Sequence, residues 1–502
     1  SSRSVRAPFR WNSHSVLTRE LVAAAPVFNA DIGSARSVAR QNSETPNQRD
    51  RSILTYRTCR LKMEGSMTPA QDYINHPDVL KALQTVKSEC RGKEYSDIID
   101  AGDHQYVDLV MEGGGVLGVA LTGYTYVLER AGIRFLGVGG TSAGSINALM
   151  IAALGPPGQA KSERLLDVLS RMPMETFVDG DSDARDFSQA VLDKASMVKL
   201  IWKASQIIDN LKEDLGLNPG DAFLNWLTAE LQGIGIKTTE ELFKQLHTVP
   251  PGLGLRQSRK DAQLADEDKV GTLVMIAADI TTQTKVEFPR MAGLYWCNPD
   301  PVNPAYFARA SMSVPFFFYP FTVNECSPNR ALWSKLAGYE GTLPQHVMFM
   351  DGGIMSNFPI NVFHQPYRIP TAPTFGAKIG LEGTEPAEIT KPSQLLGAVF
   401  DAARHTLDDD FIKANPDYKH LVKMIDTGSH HWLNFTMSHE DKVDLFARGA
   451  KAAAEFLCGF DWSKYKTIRK GLAEAFQASV GNGSAAAETS NSKERKTNGT
   501  SV

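Results

Sequence analysis

Three glycine-flanked segments hold the residues best suited to chemistry. Gly140-Thr141-Ser142-Ala143-Gly144 reads G-x-S-x-G, Asp351-Gly352-Gly353 follows far downstream, and Gly113-Gly114-Gly115-Val116-Leu117-Gly118 precedes the serine. Ser142 is a candidate nucleophile and Asp351 a candidate base. The backbone N–H groups of Gly113, Gly114 and Gly115 are candidate oxyanion donors. Hydrolysis of a carboxylic ester through an acyl-enzyme needs those three parts.

Each part has a plainer reading. Ser142 lies between an expected strand and an expected helix. A sharp strand-to-helix turn strains the nucleophile's backbone and calls for small neighbours, which Gly140, Ala143 and Gly144 supply. The alternative is a serine capping a helix. Asp351 ends the apolar run Val347-Met348-Phe349-Met350. A desolvated carboxylate there would be a stronger base than a free one, with its ordinary pKa near 3.9. The alternative is an Asx turn. The glycine turn also matches G-x-G-x-x-G, the dinucleotide fingerprint. The acidic residue that fingerprint requires after the next strand is missing, because residues 133–139 run straight into the serine turn. No cofactor is therefore expected.

The elements that must position these residues read as an α/β chain. Strands are expected at Tyr106–Met111, Ile133–Val138, Thr272–Ala278, Lys285–Phe288, Val347–Met350, Phe375–Leu381 and Leu421–Ile425. Helices are expected at Val116–Ala131, Ser142–Leu154, Asp221–Leu231 and Val443–Leu457, with a helical lead-in from Pro69 to Ser96. Strand, helix, strand, helix from Tyr106 onward makes a βαβ unit. Its right-handed crossover puts the glycine turn and Ser142 at the same edge of a mostly parallel central sheet. Residues 159–262 read as a helical, lid-like insertion. Within it Val191 to Leu215 forms an apolar stripe dotted with Lys194, Lys199, Lys203 and Lys212, either core-facing or interfacial.

Composition narrows the classes. The chain has 502 residues, 42% hydrophobic and 22% charged, with a net charge of −4. That is ordinary globular composition without a basic field for nucleic acid. Cys59, Cys90, Cys297, Cys326 and Cys458 are scattered, so neither a disulfide framework nor a metal site is expected. No apolar run is long enough for a transmembrane helix. Residues 1–66 look irregular. Residues 1–60 hold ten Arg, no Lys and four acidic residues, as an organelle-targeting segment or a disordered extension would. Residues 67–470 form the expected folded domain, and the Ser-, Asn- and Gly-rich segment 478–502 is an expected disordered tail.

In this order the segments resemble the patatin-like phospholipases. Ala277-Ala278-Asp279-Ile280-Thr281-Thr282 and Ala308-Arg309-Ala310-Ser311-Met312-Ser313-Val314-Pro315 are similar to two further family blocks. The resemblance implies a Ser142–Asp351 dyad with no catalytic histidine. It implies an oxyanion turn at Gly113, Gly114 and Gly115, and lipid acyl hydrolysis without metal or cofactor. The chain departs from the family at Leu117, where Arg or Lys often stands. Two alternatives stay open: a Ser–Asp–His hydrolase using His405, His420, His430, His431 or His439, and a non-catalytic nucleotide- or lipid-binding module. The expected partner is a lipid at a membrane or micelle surface. The expected location is cytoplasmic and peripheral at membranes, with organelle targeting or secretion left open. The aromatic run Pro315–Phe321 is either a membrane wedge, an acyl-chain wall or buried packing.

Overall fold

Buried on almost every residue, Gln105–Met111 and Ile133–Thr141 lack the in–out alternation of a one-sided strand. Such strands belong in the middle of a sheet covered on both faces. A computed structural model of the chain places them there. It describes residues 70–180, 215–259, 263–324, 326–365, 368–380, 389, 402–404 and 408–476. The expected extension 1–66, the Val191–Leu215 stripe up to residue 214, and the tail 478–502 lie outside the described residues.

The described strands are β1 (Ile98–Ile99), β2 (Gln105–Met111), β3 (Ile133–Thr141), β4 (Gly216–Asn218), β5 (Gly254–Leu255), β6 (Thr272–Asp279), β7 (Thr284–Phe288), β8 (Phe316–Phe318), β9 (Phe321–Asn324), β10 (His346–Asp351), β11 (Thr374–Gly380) and β12 (Val422–Asp426). The main sheet runs β12-β11-β2-β3-β6-β10-β9, with β7 on β6 and the short β1 and β5 beside β2. From β12 to β6 every pairing is parallel, whereas β10 is antiparallel to both β6 and β9. A separate two-stranded sheet joins β4 to β8.

The described α-helices are α1 (Ala70–Ile74), α2 (Pro77–Glu89), α3 (Gly118–Arg130), α4 (Ala143–Ala153), α5 (Ser162–Ser170), α6 (Asp221–Gly233), α7 (Thr239–Leu246), α8 (Ala305–Ser311), α9 (Arg330–Ala337) and α10 (His439–Gly459). Helix α3 is buried on nearly every side, between the sheet and α10. It ends at Gly132, whose φ of +84° is the left-handed conformation that closes many helices. The described part of the expected insertion holds α5, α6, α7, β4 and β5. In the aromatic run, Phe317 and Phe318 are buried, and Phe317 stacks on Phe435 at 4.9 Å; Phe316 is partly exposed.

Register brings the two candidate catalytic residues to one level. Thr141 on β3 pairs with Ile276 on β6, and the next residue of β6, Ala277, pairs with Asp351 on β10. Ser142, Ala277 and Asp351 therefore line up across three neighbouring strands. At about 4.8 Å per strand, the Ser142 and Asp351 backbones stand roughly 10 Å apart, a span that two facing side chains can close.

Candidate active site

Ser142 precedes α4 with φ 51° and ψ −119°, a backbone conformation that L side chains rarely adopt. Although it occupies the N-cap position, its hydroxyl makes no capping hydrogen bond. The hydroxyl is thus not spent on the helix, and the positive end of the helix dipole lies beside it. Gly144 permits the sharp turn: a Cβ there would lie 2.1 Å from the Met111 carbonyl oxygen. The Ser142 N–H donates to Ser311 Oγ at 2.9 Å, and Ser311 Oγ donates to the Ile276 carbonyl at 2.5 Å. Ser311, at the end of α8, therefore ties the serine turn to β6.

Asp351 is 4% exposed and Ser142 5%. The aspartate's Oδ1 accepts from the Gly353 N–H at 2.8 Å, so the Asx turn is present. Oδ2 is buried and has no hydrogen bond of ordinary geometry. Burial raises the carboxyl above its usual pKa; Arg404, the Ser142 hydroxyl and the Gly353 N–H pull it back down, in that order. No hydrogen bond of ordinary geometry joins the Ser142 hydroxyl to Oδ2, although the hydroxyl is among the groups that hold the carboxyl's pKa down; nucleophile–base hydrogen bonds are often long without substrate. The Asp351 N–H donates to the Ser313 carbonyl at 2.7 Å, so the segment that steadies Ser142 steadies the aspartate as well.

The glycine turn lies against the serine. A Cβ on Gly113 would come within 3.2 Å of Ser142 Cβ and 2.5 Å of Asn357 Oδ1. The Gly113 N–H is already engaged, donating to the Asn357 carbonyl at 3.0 Å, and the Val116 N–H donates to the Trp432 carbonyl at 3.0 Å. Among the described residues, the N–H groups of Gly114 and Gly115 donate to no acceptor. The same holds for Ala143, whose amide in the first turn of α4 has no intrahelical partner. Of the three glycines expected as donors, the turn leaves Gly114 and Gly115 open, while Gly113 is held by Asn357. Gly115 has φ +55°, and a Cβ on it would fall 2.1 Å from the Trp432 carbonyl oxygen.

Behind the turn is a buried polar network. Asn357 Nδ2 donates to the Gly113 carbonyl at 3.1 Å and to Glu112 Oε1 at 3.3 Å, while Glu112 Oε2 accepts from the Ile379 N–H at 2.8 Å. Burial pushes Glu112 up to about 7, against the pull of Lys378. Asp408 accepts from Ser356 Oγ at 2.6 Å and from the Phe358 N–H at 2.7 Å, fixing the residues on either side of Asn357. Thr141 Oγ1 donates to the Ser356 carbonyl at 2.8 Å, which joins this loop to the serine strand.

The described histidines have other partners or none, and among the described residues none hydrogen-bonds Ser142 or Asp351. His430 pairs with Asp444 and His439 with Asp72, each at 2.9 Å, and His431 stacks on Trp432. His405 lies outside the described residues. Among the described residues no cluster of three or more His, Cys, Asp or Glu is placed to hold a metal, and no helix is long and apolar enough to cross a membrane. Ser311, Asn357, Glu112, Asp408 and Arg404 escaped sequence reading as site residues. Ser311 stands inside the Ala308–Pro315 block and Asn357 four residues past Gly353, and the remaining three carry no local signal.

The profile of the Patatin family, described as patatin-like phospholipase, matches residues 109–364, just over half of the chain. The uncharacterized protein YqhO of Bacillus subtilis is 27% identical over 354 residues, which span 70% of this chain and 98% of that protein. Among solved structures, VipD from Legionella pneumophila superimposes with a TM-score of 0.35 at 15% identity, over 73% of this chain and 70% of VipD.

Proposed function

Because this chain belongs to the patatin-like phospholipase family, we propose that it is a lipid acyl hydrolase working through a Ser142–Asp351 dyad. The observation that carries this reading is the alignment of the two residues across β3, β6 and β10, with both side chains buried. A carboxylate raised by burial accepts a proton more readily than a free one. Asp351 takes the Ser142 proton as the serine oxygen attacks the ester carbonyl. The open N–H groups of Gly114 and Gly115, with that of Ala143, receive the oxyanion. Collapse expels the alcohol, which takes up the proton from Asp351. A water then attacks the acyl-enzyme, giving its proton to Asp351, which passes it to the Ser142 oxygen as the fatty acid leaves. No metal or cofactor enters the scheme.

The substrate class is a phospholipid or other acyl lipid presented at a membrane or micelle surface. The test is fatty-acid release from defined liposomes together with fluorophosphonate labelling of Ser142. Ser142→Ala abolishes both, and Asp351→Asn reduces release by about a thousandfold or more, as loss of a general base together with its charge does. Replacing His405, His420, His430, His431 or His439 one at a time leaves release within about threefold of wild type. A histidine variant as dead as Ser142→Ala would establish a triad instead. A folded protein that no probe labels would end the catalytic reading.

A further inference from the structure

We propose that Arg404 is the positioning cation of this centre, locking the oxyanion turn through Asn357 and facing the base Asp351. The proposal rests on the dyad reading above and gives a role to a residue outside the family's motifs. The glycine turn of this chain carries Leu117, an apolar residue, so the turn itself supplies no positive charge. A cation arrives from another segment.

The Arg404 guanidinium touches the site at several points. Its Nη2 donates to Asn357 Oδ1 at 3.1 Å and, at a long 3.5 Å, leans on the Gly113 carbonyl. A Cβ added to Gly353 would lie 3.2 Å from Arg404 Nε and 2.8 Å from Asp351 Oδ1, so the guanidinium and the carboxylate flank the same glycine. The guanidinium carbon stands 5.4 Å from the centre of the Trp432 ring, and the Trp432 carbonyl holds the Val116 N–H at the far end of the glycine turn.

These contacts fix orientation. An arginine has only donors, so Asn357 must turn its oxygen to Arg404 and its NH₂ to the Gly113 carbonyl and Glu112. Without the guanidinium the amide is free to flip. A flipped amide would set an oxygen against the Gly113 carbonyl, and the turn would lose the constraint that keeps the Gly114 and Gly115 donors open.

The same charge acts on the base. Besides Arg404, the ionisable groups of the network behind the glycine turn come from several elements: Glu112 after β2, Lys378 on β11 at 3.9 Å from Glu112, Asp409 at 3.4 Å from Lys378, Asp408 bonded to Ser356, and Lys285 on β7, whose charge acts on Asp408. Three of these are carboxylates. Arg404 is the charge that bears directly on Asp351, and it lowers Glu112 as well. Its removal leaves Asp351 protonated to higher pH. Since the base must be ionised to act, the acid limb of the pH–rate profile moves upward.

The experiment compares Arg404→Met and Arg404→Lys with wild type. One readout is the pH profile of kcat/KM on a soluble short-chain ester; the other is a stability cycle pairing Arg404→Met with Asp351→Asn. Arg404→Met is expected to lose on the order of a hundredfold in kcat/KM at the acid side, as loss of an oxyanion contact does, with its acid limb displaced to higher pH. Arg404→Lys keeps the wild-type limb, because the charge remains, but recovers only part of the rate, because the planar fork is gone. The stability cycle gives a non-zero coupling between Arg404 and Asp351 whether or not the protein turns over. An unshifted acid limb in a folded Arg404→Met, or a coupling of zero, overturns the proposal. If Arg404→Met does not fold, Arg404→Lys decides: a displaced limb in that variant overturns the charge role. Absence of labelling at Ser142 in the wild type would sink the dyad reading while leaving the coupling measurement intact.

Discussion

Removing the Ser311 hydroxyl perturbs the serine turn while leaving the side chains of both members of the dyad in place. Ser311 is fully buried; its oxygen accepts from the Ser142 N–H and donates to the Ile276 carbonyl. Ser311→Ala leaves one buried donor and one buried acceptor without partners, each costing about 1–3 kcal/mol. If the turn stays rigid, the variant loses roughly 2–6 kcal/mol of stability, a large share of the 5–15 kcal/mol typical of a folded domain. Its Ser142 would then be labelled at nearly the wild-type rate. If the turn relaxes instead, Ser142 leaves its φ of +51° and releases about 1–3 kcal/mol of strain. The stability loss then shrinks, but the hydroxyl swings away from Asp351 and labelling slows by about a hundredfold, as a 1 Å misplacement does. The two outcomes trade against each other, so Ser311→Ala cannot be silent in both. Denaturant unfolding and the second-order rate of fluorophosphonate labelling are measured on the same preparation. A variant within about 0.5 kcal/mol of wild-type stability and within twofold of its labelling rate would refute the claim that Ser311 holds the turn.

Two further outcomes follow from the geometry. Gly115→Ala meets a left-handed φ and a Cβ position 2.1 Å from the Trp432 carbonyl oxygen, so the turn must shift; labelling of Ser142 falls at least about a hundredfold while the circular-dichroism spectrum stays that of a folded protein. Asp351→Asn, inactive as an enzyme, is more stable than wild type at neutral pH. The sign follows from the raised carboxyl: folding favours its protonated form, so wild type bears a penalty at every pH above the unfolded-state value, near 3.9. The stability difference between variant and wild type is therefore present at neutral pH, narrows as pH falls through the folded-state pKa, and vanishes below the unfolded value; denaturant titrations across that range read it directly.

Much of this centre was legible because its landmarks are local. A strand followed by glycines, and a serine between a strand and a helix, announce themselves within ten residues; β2, α3, β3 and α4 form as the pattern implies, with β2 and β3 as parallel neighbours. The orientation of β10 was not legible. An apolar run of four residues before Asp351 looks the same in a parallel and an antiparallel strand, yet only its register against β6 places Asp351 level with Ser142. The run Phe316–Asn324 hid two strands, β8 and β9, because consecutive aromatics mask any period of two. Ser311 was inside a recognisable block and Asn357 just past Asp351-Gly352-Gly353, but a hydroxyl or amide that serves another residue's backbone leaves no pattern in sequence. Arg404 and Asp408 lie some fifty residues past Asp351 in a stretch without periodicity, and only the folded chain brings them to the turn.

A carboxylate buried deeply enough to be a useful base is also a charge that the fold must tolerate, and the surroundings of Asp351 answer that conflict. One oxygen is satisfied by the Gly353 N–H, which fixes the carboxyl plane, while the other is left without an ordinary partner. Satisfying both oxygens with backbone donors would have lowered the pKa and spent the lone pairs that must receive the serine proton. Leaving both unsatisfied would have kept the group neutral, because an isolated buried charge protonates instead. In the proposed dyad the remaining compensation comes from Arg404, which attracts the charge without occupying the oxygen that works. An imidazole base needs no such arrangement, since its neutral form is the reactive one. A cation near the base eases that conflict in the proposed dyad, and in this chain Arg404 supplies it from a segment far from the glycine turn in sequence.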